Sequence, residues 1–231
     1  MNNILRIFDD FSKLFFPKRC IICEKNVYVN SELMCTKCIS EMPKTNFHYD
    51  PENKTSQIFW GRVDLEMASS FLFFYKGSKY RTLIHKLKYN NMPEIGVYLG
   101  ELYGADLLNI EKLKDACCIV PVPLHPKKKR IRGYNQSEKF AEGLSKVLNI
   151  EVKNILERKV FTQTQTKKTR EERWMNVKDV FKVKDCNKIK DKHLILVDDI
   201  LTTGATLEAC ATTLKTCENV KVSVLTIGIA Q

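Results

Sequence analysis

Residues Leu194 to Thr206 read LILVDDILTTGAT: a short apolar run, two carboxylates, then a compact Thr/Gly loop. The next stretch, Leu207 to Lys215, has helical periodicity. A strand that feeds such a loop into a helix N-terminus is how α/β proteins hold phosphate, because unpaired backbone N–H groups and the helix dipole both face the anion. Asp198 and Asp199 would repel a bare phosphate. They suit a ligand that also carries hydroxyls, which a carboxylate accepts from. The ligand implied is a sugar phosphate. The chain has no Gly-x-x-x-x-Gly-Lys-Ser/Thr and no Gly-x-Gly-x-x-Gly, which excludes a nucleoside-triphosphatase loop and a dinucleotide fingerprint. In phosphoacceptor domains a strand-terminal Asp pair closes the first strand, whereas this pair lies near the C-terminus.

Two further segments supply cations. PVPLHPKKKRIRGYNQ, Pro121 to Gln136, leaves a buried-strand pattern through Pro121, Pro123 and Pro126 and delivers Lys127, Lys128, Lys129, Arg130 and Arg132. It reads as an anion-binding loop or as a solvated basic loop, with Gly133 supplying an unusual backbone angle. Tyr134, Asn135 and Gln136 would cap the following helix or touch ligand. ERKVFTQTQTKKTREERWMN, Glu157 to Asn176, carries Arg158, Lys159, Lys167, Lys168, Arg170 and Arg173. Long polar loops of this kind are lids or connectors, so it reads as a cationic lid or as an exposed hairpin.

A third group binds metal. Cys20, Cys23, Cys35 and Cys38 form two Cys-x-x-Cys pairs separated by eleven residues. Each knuckle brings two thiolates to one tetrahedral ion, and four sulfur ligands leave no open position, so the ion expected is a structural zinc. Lys18, Arg19, Lys25 and Lys37 would offset its charge.

The elements that position these groups follow from periodicity. Ile4, Leu5, Ile7, Phe8, Phe11, Leu14 and Phe15 mark an amphipathic first helix ended by Pro17, and Met42 to Trp60 reads as a polar linker. Strands are predicted at Ala68 to Gly77, Ala116 to Val122, Asp179 to Val183, Leu194 to Val197 and Lys221 to Ile229. Helices are predicted at Tyr80 to Tyr89, Pro93 to Leu108 and Asn135 to Leu148. Strands alternating with helices imply a mostly parallel sheet. Cys117 and Cys118 fall inside a strand, where cysteine is usually an inert small hydrophobe. At 231 residues and 44% hydrophobic the chain has room for one α/β domain and a small appendage. The excess of 38 basic over 27 acidic residues, +11 overall, points to phosphorylated ligands, nucleic acid or a membrane surface, or to a lysine-rich solvated exterior. No secretory signal or transmembrane span is read at the N-terminus, and nine cysteines without one imply a reducing cytoplasm.

Taken in order, the CIIC and CTKC pair, FFYKGS followed by LIHKLKY, PVPLHPKKKRIRGYNQSE, TQTQTKKTREERWMNVKDVF and LVDDILTTGATLEAC resemble the competence protein F (GntX-like) family over nearly everything after Lys18. The resemblance implies a type I phosphoribosyltransferase, a Rossmann-like α/β domain with a mostly parallel sheet and a small N-terminal four-cysteine zinc ribbon. It implies an N-terminal helix and zinc ribbon over 1–45 and a transferase domain over 60–231, divided into a hood (60–115) and a core (116–231). It implies that Asp198 and Asp199 face the ribose hydroxyls of phosphoribosyl pyrophosphate (PRPP), and that Thr202, Thr203, Gly204, Ala205 and Thr206 cradle the 5′-phosphate. His125, Lys127, Lys128, Arg130 and Arg132 would take the pyrophosphate, while Lys168 and Arg170 of the flexible loop would join the aspartates in catalysis. Mg²⁺ would accompany PRPP. Implied partners are incoming single-stranded DNA and other competence proteins such as a helicase, in the cytoplasm. Two functions are left open: a phosphoribosyltransferase with an unknown acceptor, and a non-catalytic single-stranded-DNA-binding competence factor that uses the PRPP pocket as a sensor.

Overall fold

The computed structural model describes residues 19–27, 33–158 and 180–230. The predicted first helix, the Lys159 to Asn176 part of the predicted lid, with Lys168 and Arg170, and Asp179 of the predicted third strand lie outside them. Four apolar stretches pair into one parallel sheet in the order β1-β6-β5-β2, where β1 is Met67–Phe74, β2 Ala116–Pro121, β5 His193–Leu201 and β6 Lys221–Ala230. The strands β5 and β6 are buried along most of their length, as central strands of a sheet covered on both faces must be. On one face lie α3 (Arg81–Tyr89), α4 (Glu94–Leu107) and α6 (Gln136–Leu148), packing Leu83, Leu87, Leu99, Tyr103, Phe140 and Leu144 against Ile195, Val197, Leu225 and Ile227. On the other, α7 (Ala205–Leu214) packs Leu207, Cys210 and Leu214 against Leu194, Leu196, Val222 and Val224.

Three elements depart from the pattern read in the sequence. Of the strand predicted at Asp179 to Val183, Phe181–Val183 is extended (β4), and it pairs antiparallel with β3, Leu156–Arg158, outside the main sheet. The basic run is a helix rather than a loop: α5, Pro126–Arg132, has His125 as N-cap, proline at its start and Gly133 at φ +78° as its stop. The segment read as a linker is an integral layer. Phe73 N–H donates to the Pro43 carbonyl at 2.9 Å, Thr45 N–H to the Phe71 carbonyl at 2.9 Å, and Asn53 Nδ2 to the Ala68 carbonyl at 2.9 Å. Its polar residues satisfy the edge of β1, which is why polarity there does not mean solvent. Among the cysteines, Cys186 and Cys217 are paired with Cα atoms 5.3 Å apart, joining the turn before β5 to the turn after α7, a departure from the all-thiol state expected of a reducing cytoplasm.

The α4–α6 contact is a seam of glycine. Gly96, Gly100 and Gly104 recur at helical spacing on α4 and face Lys139, Gly143 and Val147 of α6 in turn. A Cβ on Gly100 would stand 2.3 Å from the Phe140 carbonyl oxygen, and one on Gly143 would stand 2.0 Å from that of Val97. The two backbones touch. This close approach holds the N-terminus of α6, and with it Ser137, against the end of β5.

Candidate functional site

Side chains alternate faces along β5 as a strand requires, but only as far as Val197. Ile195 and Val197 enter one core and Leu194 and Leu196 the other, yet Ile200 joins the first core and Leu201 the second. The phase reverses between them, at Asp198 and Asp199. Pairing to β6 holds its register across the change, with Asp198 opposite Thr226 and Ile200 opposite Gly228. Both carboxylates therefore reach elements on the same side of the sheet. Asp198 Oδ1 accepts from Ser137 Oγ at 2.8 Å and from the Asp199 N–H at 2.8 Å. Asp199 is gripped by Lys88 of α3 at 2.9 Å. Burial raises the Asp198 carboxyl to about 7, and the neighbouring charge of Asp199 adds to the effect; its two hydrogen bonds and the Lys88 charge only partly oppose it.

Immediately beyond, Thr202, Thr203, Ala205 and Thr206 are exposed while Gly204 is buried. Gly204 is the N-cap of α7, and φ +76° there excludes most side chains. It also touches the former linker, since a Cβ would stand 2.7 Å from Ile58 Cγ2. Arg62 holds the loop from behind: its guanidinium donates to the Thr203 carbonyl at 2.8 Å and pairs with Glu208 on α7. The result is an open cradle of backbone N–H groups at a ten-residue helix N-terminus, a geometry made for anions.

The basic helix faces the same end. Lys128, Arg130 and Arg132 line a cavity of about 500 Å³ whose wall also includes Lys88 and Tyr89. The side chains of Lys128 and Arg130 make no ion pair among the described residues. His125 is used for structure, its Nδ1 accepting from the Lys127 N–H at 3.2 Å, and neither it nor Lys127 lines this cavity. Gln136, fully buried beside Ser137, accepts from Arg132 at 2.9 Å but leaves its Nε2 donors without a partner. This donor, one residue from the Ser137 that binds Asp198, is available to a ligand or a water. Of the aromatics in Phe71 to Tyr75 and Tyr134, Phe71, Phe74 and Tyr134 are core residues and Tyr75 is half exposed; the Tyr134 hydroxyl is spent on the Leu87 carbonyl.

Apart from these groups, the Sγ atoms of Cys20, Cys23, Cys35 and Cys38 all lie within 4.8 Å of one another. Burial works against ionisation of Cys20, but N–H donors from Cys35, Cys23 and Ile22 outweigh it and lower the thiol to about 6. Cys38 is pushed up by burial and by the neighbouring thiols. Four thiols so close cannot all ionise without a cation among them, so the donor set fits a closed tetrahedral metal site. This unit docks on α3: Tyr80 O–H donates to the Cys38 carbonyl at 2.9 Å and Lys86 Nζ to that of Ile21 at 3.3 Å. Replacing Cys38 with Ser is expected to remove the bound metal, from about one ion per chain to none by native mass spectrometry. Retention of a full complement would contradict the site.

Lys88, Ser137 and Arg62 were not foreseen from the sequence as functional residues. Lys88 sits in the KLKY of α3 and Ser137 directly after the YNQ stretch; a lysine in the last turn of a helix and a serine in the first turn of another are each commonplace alone.

Comparison with known proteins agrees with this architecture. Residues 135–229 match the model of the phosphoribosyl transferase domain. The chain is 30% identical to Competence protein F of Haemophilus influenzae over 203 residues, 84% of this chain and 89% of that protein. It is 31% identical to DNA utilization protein YhgH of Escherichia coli K12 over 133 residues, 56% of this chain and 58% of that protein. Among solved structures, glutamine PRPP amidotransferase from B. subtilis aligns with a TM-score of 0.42 and 17% identity, over 60% of this chain and 30% of that one. A transferase domain built on a parallel sheet, an N-terminal four-cysteine cluster, and identity spread along most of both chains give one conclusion: the protein belongs to the competence protein F family.

Proposed function

We propose that this chain binds PRPP at the carboxyl ends of β5 and β2 and transfers its phosphoribosyl group, in the service of natural competence and DNA uptake in the cytoplasm. The observation that carries this reading is the phase reversal in β5, which turns Asp198 and Asp199 toward one side directly before an exposed loop of N–H donors. In this reading Thr202 to Thr206 bind the 5′-phosphate, and Asp198 and Asp199 accept from the ribose 2′ and 3′ hydroxyls. Lys128, Arg130 and Arg132 neutralise the pyrophosphate, and Lys168 and Arg170 complete its enclosure. His125 and Lys127 are retained as outer members of that set. The two carboxylates, hard oxygen donors, also suit Mg²⁺, which when bound would screen the charge between pyrophosphate and ribose. As the bond from the anomeric carbon to pyrophosphate breaks, the carboxylates stabilise the positive charge gathering on the ribose and the cations stabilise the departing anion, with no covalent intermediate on the protein. The four cysteines hold a structural zinc. A metal-bearing unit over 1–45, a hood over 60–115 and a core over 116–231 is the division of labour proposed.

The pH dependence tests this directly. Because the Asp198 carboxyl is raised to about 7 in the free protein, the folded state holds a proton that the unfolded chain has lost, so this group's contribution to stability falls as pH rises from about 4 to about 7. Ionisation of the same group favours the ligand. Calorimetric titration with Mg²⁺ and PRPP is expected to show affinity rising between pH 6 and pH 8 with release of a proton. Asp198→Asn should bind more weakly and lose the pH dependence. No binding, or the same profile in the variant, would sink the proposal.

A second reading is favoured by one observation. The basic helix exposes Ile131 at 84%, beside Tyr89 at 68%, and apolar or aromatic groups among free cations suit a single-stranded nucleic acid. A competence factor binding single-stranded DNA and sensing PRPP would show oligonucleotide affinity that falls steeply with salt. Salt-insensitive binding would exclude it.

A further inference from the structure

Resting on the transferase reading above, we propose that the acceptor of the phosphoribosyl group is an anion, a small planar organic acid seated under α3 with its charged group held by Lys76 and Arg81. A cavity of about 720 Å³ opens there beside Thr202, the first residue of the phosphate cradle, within the size range of small-molecule sites. It adjoins the cavity of the basic helix, the two sharing Lys88 and Tyr89. Lys88 in turn grips Asp199. The sugar's expected position thus has one compartment on the side of the leaving pyrophosphate and another from which a nucleophile approaches.

The wall of this second compartment decides the class of ligand. Phe74, Ile84 and Ile200 form an apolar floor, and not one Asp or Glu lines it. Lys88 is neutralised by Asp199, but the side chains of Lys76 and Arg81 have no ion pair or hydrogen bond among the described residues. His85, in ring contact with Tyr89 at 5.1 Å, lines the same wall and brings no negative charge to it. A cationic ligand would be repelled, and a neutral one would cover two charges without compensating them. An anion on a flat apolar body satisfies both features. In the reaction the acceptor's nucleophilic atom gives its lone pair to the anomeric carbon. The carbon–oxygen bond to pyrophosphate breaks with its electrons, and any proton on that atom passes to water.

The experiment titrates the full-length protein, with Mg²⁺ and PRPP present, with matched probes: nicotinate and nicotinamide, anthranilate and aniline, orotate and uracil. Pyrophosphate release is followed in parallel. An acid is expected to bind at least ~10-fold tighter than its uncharged counterpart, and Lys76→Gln and Arg81→Gln to weaken it by roughly 10- to 100-fold each, as loss of a charged hydrogen bond implies. PRPP affinity should be unchanged in both variants, which alter exposed residues, and Arg81→Glu should abolish binding of the acid. The proposal is overturned if uncharged probes bind as well as acids, or if no probe binds while PRPP does. It is overturned equally if the variants weaken PRPP as much as the acid, since the pocket would then serve PRPP itself. Failure of PRPP to bind the unaltered protein would instead remove the underlying transferase reading, and this proposal with it.

Discussion

Gly143→Ala should destabilise the fold by about 3 kcal/mol or more, lowering the melting temperature by roughly 6–12 °C for a domain of this size. Helix propensity alone gives the opposite sign, because alanine is favoured over glycine in a helix interior by about 1 kcal/mol. The structure decides between them. The added Cβ would lie 2.0 Å from the Val97 carbonyl oxygen and 2.8 Å from the Glu101 nitrogen. Both are backbone atoms of α4, with no rotamer to escape into. Gly100→Ala meets the Phe140 carbonyl oxygen at 2.3 Å and should behave alike, whereas at Gly104 the nearest atom is a Val147 side-chain carbon at 2.9 Å, so the cost should be smaller. Gly77→Ala finds open space and carries only the strain of φ +88°, about 1 kcal/mol. Urea or thermal denaturation of the four variants would give this order. A Gly143→Ala protein as stable as the parent would mean that the two helices do not touch through their backbones.

The second large effect is expected at the Lys88–Asp199 pair. Asp199→Asn removes the charge that both Lys88 and a ribose hydroxyl would use, and PRPP affinity should fall roughly 10- to 100-fold, the worth of a charge-assisted bond. Lys88→Met acts in the other direction, removing a cation that holds the Asp198 carboxyl down, so Asp198 should bind a proton more readily. Affinity for PRPP at pH 6 should then drop more than at pH 8. Because the partners are in contact, their effects on stability should not add. A double-mutant cycle is expected to return a coupling of about 1–3 kcal/mol. Strict additivity would show that the ion pair contributes nothing to the site.

How far these features could be read from the chain varies with their sequence span. The Asp-Asp-x-x-Thr-Thr-Gly-x-Thr element and the paired Cys-x-x-Cys knuckles are local patterns, each residue within a few positions of its collaborators, and they were legible. The basic helix was legible in principle and misread as a loop: proline at its first position, a capping histidine before it and glycine after it are the ordinary start and stop signals, masked by a charge run that looks solvated. The grip of Lys88 on Asp199 spans 111 residues, and that of Arg62 on Thr203 spans 141. Nothing near either partner announces the other. Residues 42 to 60 resembled a linker because a polar side chain satisfying a strand edge has the same composition as one facing water. The glycine spacing on α4 was visible but had no meaning until α6 was placed against it.

That glycine contact also divides the molecule by stiffness. At Gly100 and Gly143 the two helices touch main chain to main chain, with no side chain there to compress, rotate or repack. They move as a single girder that carries Ser137, and through it Asp198, as a fixed point. Helix α3 is fastened differently: Leu83 and Leu87 bury it in the core, and its outer ties are single side-chain bonds, Tyr80 to Cys38, Lys86 to Ile21, Lys88 to Asp199. Such bonds break and remake one at a time on fast timescales. Adjustment at Asp199 therefore falls to the side-chain ties of α3, which reach from the four-cysteine unit to the aspartate pair, and not to the girder.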